Sequence, residues 1–218
     1  MFVGHYGFSY GLKKLEPTVP LWVLFLAVQL LDLIWAPLVL LGVEKVRIIR
    51  HFTASNDLDL YFMPLTHGLL TALWWSAVAY VVYRGLDRRS TVRGAAVVAL
   101  AVFSHWVLDL VVHVRDLPLW ADSWKVGFGL WNHAWLAFAL EALVLLGGIA
   151  IYFTTGVRRR WPTLVFGVLM LGILLWTRLS PPPPTTRAFA IMAIASYLLF
   201  AGIAWVLERV SEPTAQAA

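Results

Sequence analysis

Six long apolar stretches, separated by short clusters of Arg, Lys and Pro, decide what this chain can fold into. They run from about Leu21 to Val43, Pro64 to Tyr83, Gly94 to Val114, Leu130 to Phe153, Pro162 to Trp176 and Arg187 to Leu207. A helix needs about 20 mostly apolar residues to cross a hydrocarbon core of about 30 Å, and most of these runs approach or exceed that length. In lipid the backbone must satisfy its own polar groups, and the alternating pattern of a membrane barrel is missing. The expected fold class is therefore all-α, a polytopic membrane helical bundle with about six full spans. Composition agrees, because a chain that is 61% hydrophobic and 13% charged has too little polar surface to coat a water-soluble globule.

Residues 1–12 are apolar and aromatic but reach only about 18 Å as a helix, so we expect a half-inserted N-terminal helix ending at Lys13 and Lys14. The start shows no basic segment followed by a cleavable apolar one, which predicts that it belongs to the mature protein. Pro17 and Pro20 break the chain, and Pro37 predicts a kink in the first full span. Residues 44–63 exceed an ordinary connection and read as a lid or substrate-binding loop. The second span is expected to start at Pro64. Pro181 to Pro184 form a stiff connector between the last two spans. Those two spans lack ionisable residues in their interior and carry Gly167, Gly172, Ala190 and Ala193 for close helix approach, as scaffold helices do. We read 1–218 as one integral membrane domain, with a metal-site half at 1–115, scaffold spans at 130–207 and a disordered tail at 208–218.

The formal charge of +5 comes from basic residues at span ends, which favours anionic lipid headgroups over nucleic acid as a partner. Lys13, Lys14, Arg84, Arg88, Arg89, Arg93, Arg158, Arg159, Arg160 and Arg209 fall on one side and outnumber Lys45, Arg47, Arg50, Arg115, Lys125, Arg178 and Arg187 on the other. The first group is assigned to the cytoplasm. The chain has no cysteine, so disulfides and thiolate ligands are excluded and any metal must sit on nitrogen and oxygen.

Chemistry concentrates in the third span, where His105, Asp109 and His113 recur every four residues and so share one helix stripe. A carboxylate at the bilayer centre costs roughly 2.5–3.5 kcal/mol on insertion scales, so Asp32, Asp109 and Glu141 require partners. If the half-helix and the first three spans are neighbours, His5, His67, His105 and His113 converge with Asp32 and Asp109. Imidazole with carboxylate is the ligand set of a hydrolytic zinc or manganese site, and also of a proton relay. The ordinary readings are a His105–Asp109 pair that only fixes packing, a structural Glu141 paired with Arg or Trp, loop and helix-start roles for His51 and His133, and turn or capping roles for Asp57 and Asp59.

Gly4-His5 near the start, Leu30-Leu31-Asp32 in the first span, Thr66-His67 opening the next and Ser104-His105-x-x-x-Asp109 in the third are similar, in that order over residues 1–115, to the bacterial inner-membrane family of membrane-bound metal-dependent hydrolases. Asp32-Leu33-Ile34 stands where that family has Asp-x-Asp, and Phe62-Met63-Pro64-Leu65 where it has a His-Arg pair. The resemblance implies a multi-span enzyme of the bacterial inner membrane with metal ligands at His5, Asp32, His67, His105 and Asp109.

Together these features predict a hydrolase that uses a divalent metal, zinc first. Asp109, Asp32 or His113 would handle the proton, the site would lie toward the outer half of the membrane, and the substrate would be a lipid-like or membrane-proximal ester or phosphodiester. A proton- or cation-coupled permease built on the same groups, and a structural membrane protein, are the competing expectations.

Overall fold

The prolines and polar clusters break the chain as expected, and among the described residues there are eight α-helices and one small hairpin. A computed structural model describes residues 1–86 and 90–211. The helices are α1 (Val3–Leu15), α2 (Leu21–Val28), α3 (Leu30–Leu40), α4 (Leu69–Leu86), α5 (Val92–Val112), α6 (Ala134–Phe153), α7 (Trp161–Leu179) and α8 (Thr186–Ser211). Helices α4 to α8 are each long and apolar enough to cross a membrane, and the bent pair α2 and α3 makes a sixth if counted as one span. Arg88 and Arg89 of the orientation argument, and most of the expected tail, lie outside the described residues. Helix α8 runs on to Ser211, so Glu208, assigned from sequence to the tail, is helical and buried.

Several boundaries depart from expectation for local reasons. The first span bends by 50° between α2 and α3, at Gln29, whereas Pro37 lies inside α3 without interrupting it. At the break the Gln29 amide donates to the Leu26 carbonyl at 3.2 Å, the tightened bonding of a helix end, and α3 starts on a new axis. Helix α4 begins at Leu69 rather than Pro64, because Glu44 accepts from the Leu65 and Thr66 amides at 2.7 and 3.1 Å and holds that segment as a turn. The expected loop at 44–63 is largely an antiparallel hairpin, β1 (Lys45–Ile48) with β2 (Leu58–Phe62), paired through Arg47 and Asp59. A 3₁₀ turn at Leu130–Asn132 precedes α6.

Helix α1 does not stand apart. It packs most extensively along α6, with further contacts to α2 and α5, while α4 lies on α5, and α2 and α3 lie on α8. Tyr6, Tyr10, Phe25, Phe166 and Phe200 form an aromatic core between these helices. At one end of the bundle, Lys13 bonds to Glu208 at 2.5 Å, Lys14 to the Thr154 carbonyl at 3.3 Å and Arg93 to the Leu15 carbonyl at 2.6 Å. The hairpin and the 113–133 segment gather at the other end, where Lys125 donates to the Tyr61 carbonyl at 2.6 Å.

The α1–α6 approach depends on two glycines. A Cβ on Gly148 would stand 1.9 Å from the Gly7 carbonyl oxygen, and one on Gly7 would stand 2.2 Å from the Val144 carbonyl oxygen. The neighbouring Gly147 faces open space. Gly148→Ala should therefore destabilise the protein by about 1–3 kcal/mol through forced helix separation. Gly147→Ala should be neutral or stabilising by up to about 1 kcal/mol from helix propensity. Thermal melting of both variants in detergent checks this contrast.

Candidate metal centre

The α5 stripe supplies the centre of the site. His105 and Asp109 lie one turn apart on the inner face of α5, and His113, expected from its spacing to continue that stripe, instead follows the last helical residue as the C-cap with an extended backbone; all three are at most 2% exposed. Asp109 Oδ2 lies 3.0 Å from His105 Nε2, 3.6 Å from His113 Nε2 and 3.9 Å from His67 Nε2. Its other oxygen, Oδ1, lies 3.2 Å from His5 Nε2 and 2.5 Å from the Met1 nitrogen. Asp32, on α3, places Oδ1 3.3 Å from His67 Nε2 and 3.8 Å from His105 Nε2, and its Oδ2 accepts from the Tyr197 hydroxyl at 2.7 Å. All six residues singled out from the sequence, His5, Asp32, His67, His105, Asp109 and His113, thus stand together.

Three of the imidazoles are held by the ring nitrogen that faces away from the carboxylates. His105 Nδ1 lies 2.7 Å from the Val28 carbonyl, which can only accept, so Nδ1 carries the proton. That carbonyl is available because the helix breaks at Gln29. His67 Nδ1 lies 2.8 Å from Thr66 Oγ1, whose hydroxyl donates to Glu44 Oε2 at 2.6 Å and so accepts from the ring. His113 Nδ1 lies 2.9 Å from Asp116 Oδ1. Each anchor leaves the Nε2 lone pair pointing at Asp32 and Asp109, which is how outer hydrogen bonds orient histidine ligands around a metal.

His5 arrives from α1, whose first turn is capped by Glu141: Oε2 accepts from the Phe2 amide at 2.8 Å and the Gly4 amide at 3.3 Å. The His5 ring stacks on His105 with centroids 4.0 Å apart and 5° between planes. Neither His5 nitrogen has a hydrogen-bond partner, and neither does His105 Nε2. Both rings therefore face Asp109, at 3.2 and 3.0 Å, as close charge contacts without a hydrogen bond of regular geometry. Two donors each about 2.0–2.1 Å from one tetrahedral ion stand roughly 3.3 Å apart, so the spacings of 3.0, 3.2 and 3.3 Å match ligands that share a cation. Two sets of donors, His5–His105–Asp109 and Asp32–His67–His105, have atoms within 4.8 Å of one another. The cysteine-free nitrogen and oxygen donors suit zinc or manganese.

The remaining candidates fall outside the centre. His51 sits in the hairpin turn with a left-handed backbone, its amide 2.5 Å from Asp57 Oδ1. Asp59 pairs with Arg47 at 2.5 Å, and His133 occupies the N-cap position of α6 without a side-chain capping bond. Glu141 lies 3.8 Å from Arg178, which reaches it from α7. Sequence reasoning missed the roles of Glu44, Asp116 and Tyr197. Only Asp116 carried a signal, three residues beyond His113 and able to fold back onto it. No protein-family profile, curated protein or solved structure matches this chain.

Thr66→Val keeps the shape of residue 66 but removes the hydroxyl between Glu44 and His67. Zinc affinity, measured by competition with a chromophoric chelator, should fall about 10- to 100-fold with the fold retained. An unchanged affinity would show that His67 needs no orienting.

Proposed function

We propose that this chain is a six-span protein of the bacterial inner membrane and a divalent-metal hydrolase, with zinc the preferred ion. The observation that carries this reading is the convergence of three outward-anchored imidazoles and the unpartnered His5 on two buried carboxylates. Packing alone would be better served by imidazoles aligned in hydrogen bonds with Asp109. The order of motifs that resembles the membrane-bound metal-dependent hydrolases points the same way.

His5, Asp32, His67, His105 and Asp109 would hold the metal. A bound divalent ion supplies Lewis acidity, polarising a substrate oxygen and acidifying a water toward neutral pH. The chain's own contribution is orientation and proton transfer. His113 belongs to neither donor set, and its Nδ1–H is held by the Asp116 carboxylate, as in a base that is oriented by an acid. It is the proton acceptor in this scheme. Tyr197 steadies Asp32 by donating to Oδ2, which leaves Oδ1 toward His67. The centre lies toward the end that carries the hairpin and the exposed Trp120, Trp124 and Phe128, in keeping with an amphiphile whose ester or phosphodiester reaches in from the interface.

Asp109→Asn separates chemistry from packing. It preserves shape but removes the charge that faces the Met1 nitrogen, so the melting temperature should fall while the bundle still assembles, and metal per folded chain and hydrolysis of lipid esters or phosphodiesters should fall at least about tenfold. Elemental analysis alongside thermal melting provides the check. A folded Asp109→Asn protein with its full metal content would contradict the assignment.

A further inference from the structure

The donors of this centre do not fit one ion. Two ligands on opposite sides of a single ion, with bonds of about 2.1 Å, stand at most roughly 4.2 Å apart. Even at the looser spacing of 4.8 Å the five metal-ligand candidates fall into two sets, and neither contains all of them. His5 belongs only to the set with Asp109, whereas Asp32 and His67 belong only to the other.

Resting on the metal-dependent reading above, we propose that the centre binds two divalent ions bridged by the Asp109 carboxylate, one beside His5 and the other beside His67 and Asp32. Asp109 faces two ways, with Oδ1 toward His5 and the Met1 nitrogen, which an ion beside His5 would displace, and Oδ2 toward His105 and His67. His105 lies within reach of both positions, and its one free lone pair serves one of them. His5 supplies an independent reason for its own ion. It is fully buried, and neither nitrogen makes a hydrogen bond, Nε2 having only its 3.2 Å approach to Asp109 Oδ1, a costly state for a polar ring cut off from water. An ion confined to Asp32, His67 and His105 would leave that ring as it is.

Charge then points to a substrate class. Two divalent ions and the Met1 ammonium against the two carboxylates, with neutral imidazoles, leave an excess of positive charge. An anionic phosphoester compensates that excess, and two-ion sites stabilise both the attacking and leaving oxygens of in-line displacement at phosphorus. This favours a lipid phosphodiester or phosphomonoester over a neutral carboxyl ester.

The test is metal stoichiometry of the full chain in detergent, stripped with chelator and reloaded with Zn²⁺, and separately with Mn²⁺ for electron paramagnetic resonance. The expected result is about two zinc ions per chain in the wild type, about one in His5→Ala and about one in His67→Ala. Manganese-loaded wild type should show an exchange-coupled spectrum. Saturation at one zinc per chain, or only isolated Mn²⁺ signals at full loading, would overturn the two-ion proposal and leave the hydrolase reading standing. Absence of any specific metal would overturn both. Should either variant fail to fold, wild-type stoichiometry and the manganese spectrum still decide.

Discussion

The hydrogen bond from His105 Nδ1 to the Val28 carbonyl ties the backbone of this protein to its chemistry. A continuous first span would spend the Val28 carbonyl inside the helix. The break at Gln29 frees it, and a free carbonyl in an apolar bundle requires a donor. His105 meets that need and is thereby fixed with Nε2 toward Asp32 and Asp109. The same break turns α3 onto the axis that carries Asp32 into reach of His67. One irregularity therefore orients an imidazole on α5 and positions a carboxylate on α3.

Around this point, the buried charge is managed by elements distant in sequence. Glu141 on α6 caps α1 and so places His5, Tyr197 on α8 steadies Asp32, and Glu44 acts through Thr66 on His67. The C-terminal helices thus position parts of the centre as well as packing around it. Contact of Gly7 with Gly148 lets α1 sit close enough to α6 for His5 to stack on His105. Tyr6 and Tyr10 of α1 also pack on Phe25 of α2, and Tyr10 on Tyr152 of α6, which keeps that helix in place.

Much of this was legible from the residues. The apolar runs mark the long helices, because length and hydropathy are local properties of the chain. His105 and Asp109 declare a shared face through their spacing, whereas His113 reaches the same site from just past the helix end, and intramembrane acids announce the need for partners. What could not be read depends on distant contacts. Gln29 carries no breaking signal of its own, while Pro37 carries one that the helix tolerates, since a proline removes only one bond and the bundle supports the rest. Glu44 looks like an ordinary charge at the end of a span until the turn at 65–66 folds onto it. The hairpin was hidden because only five residues of β2 and four of β1 pair, in a stretch of mixed polarity. That His5 would reach His105 by way of α6 follows from glycines whose role is visible only once the helices touch.

X-ray absorption at the zinc edge of the reloaded full-length protein tests the central claim most directly, because it reads the atoms around the ion without requiring a known substrate. The account predicts a shell of nitrogen and oxygen at about 2.0–2.1 Å, with the multiple scattering of several imidazoles that weakens in His105→Ala. A shell of oxygen alone without imidazole scattering, or one indifferent to His105→Ala in a folded protein, would show that the buried histidines and aspartates hold the bundle together rather than a metal.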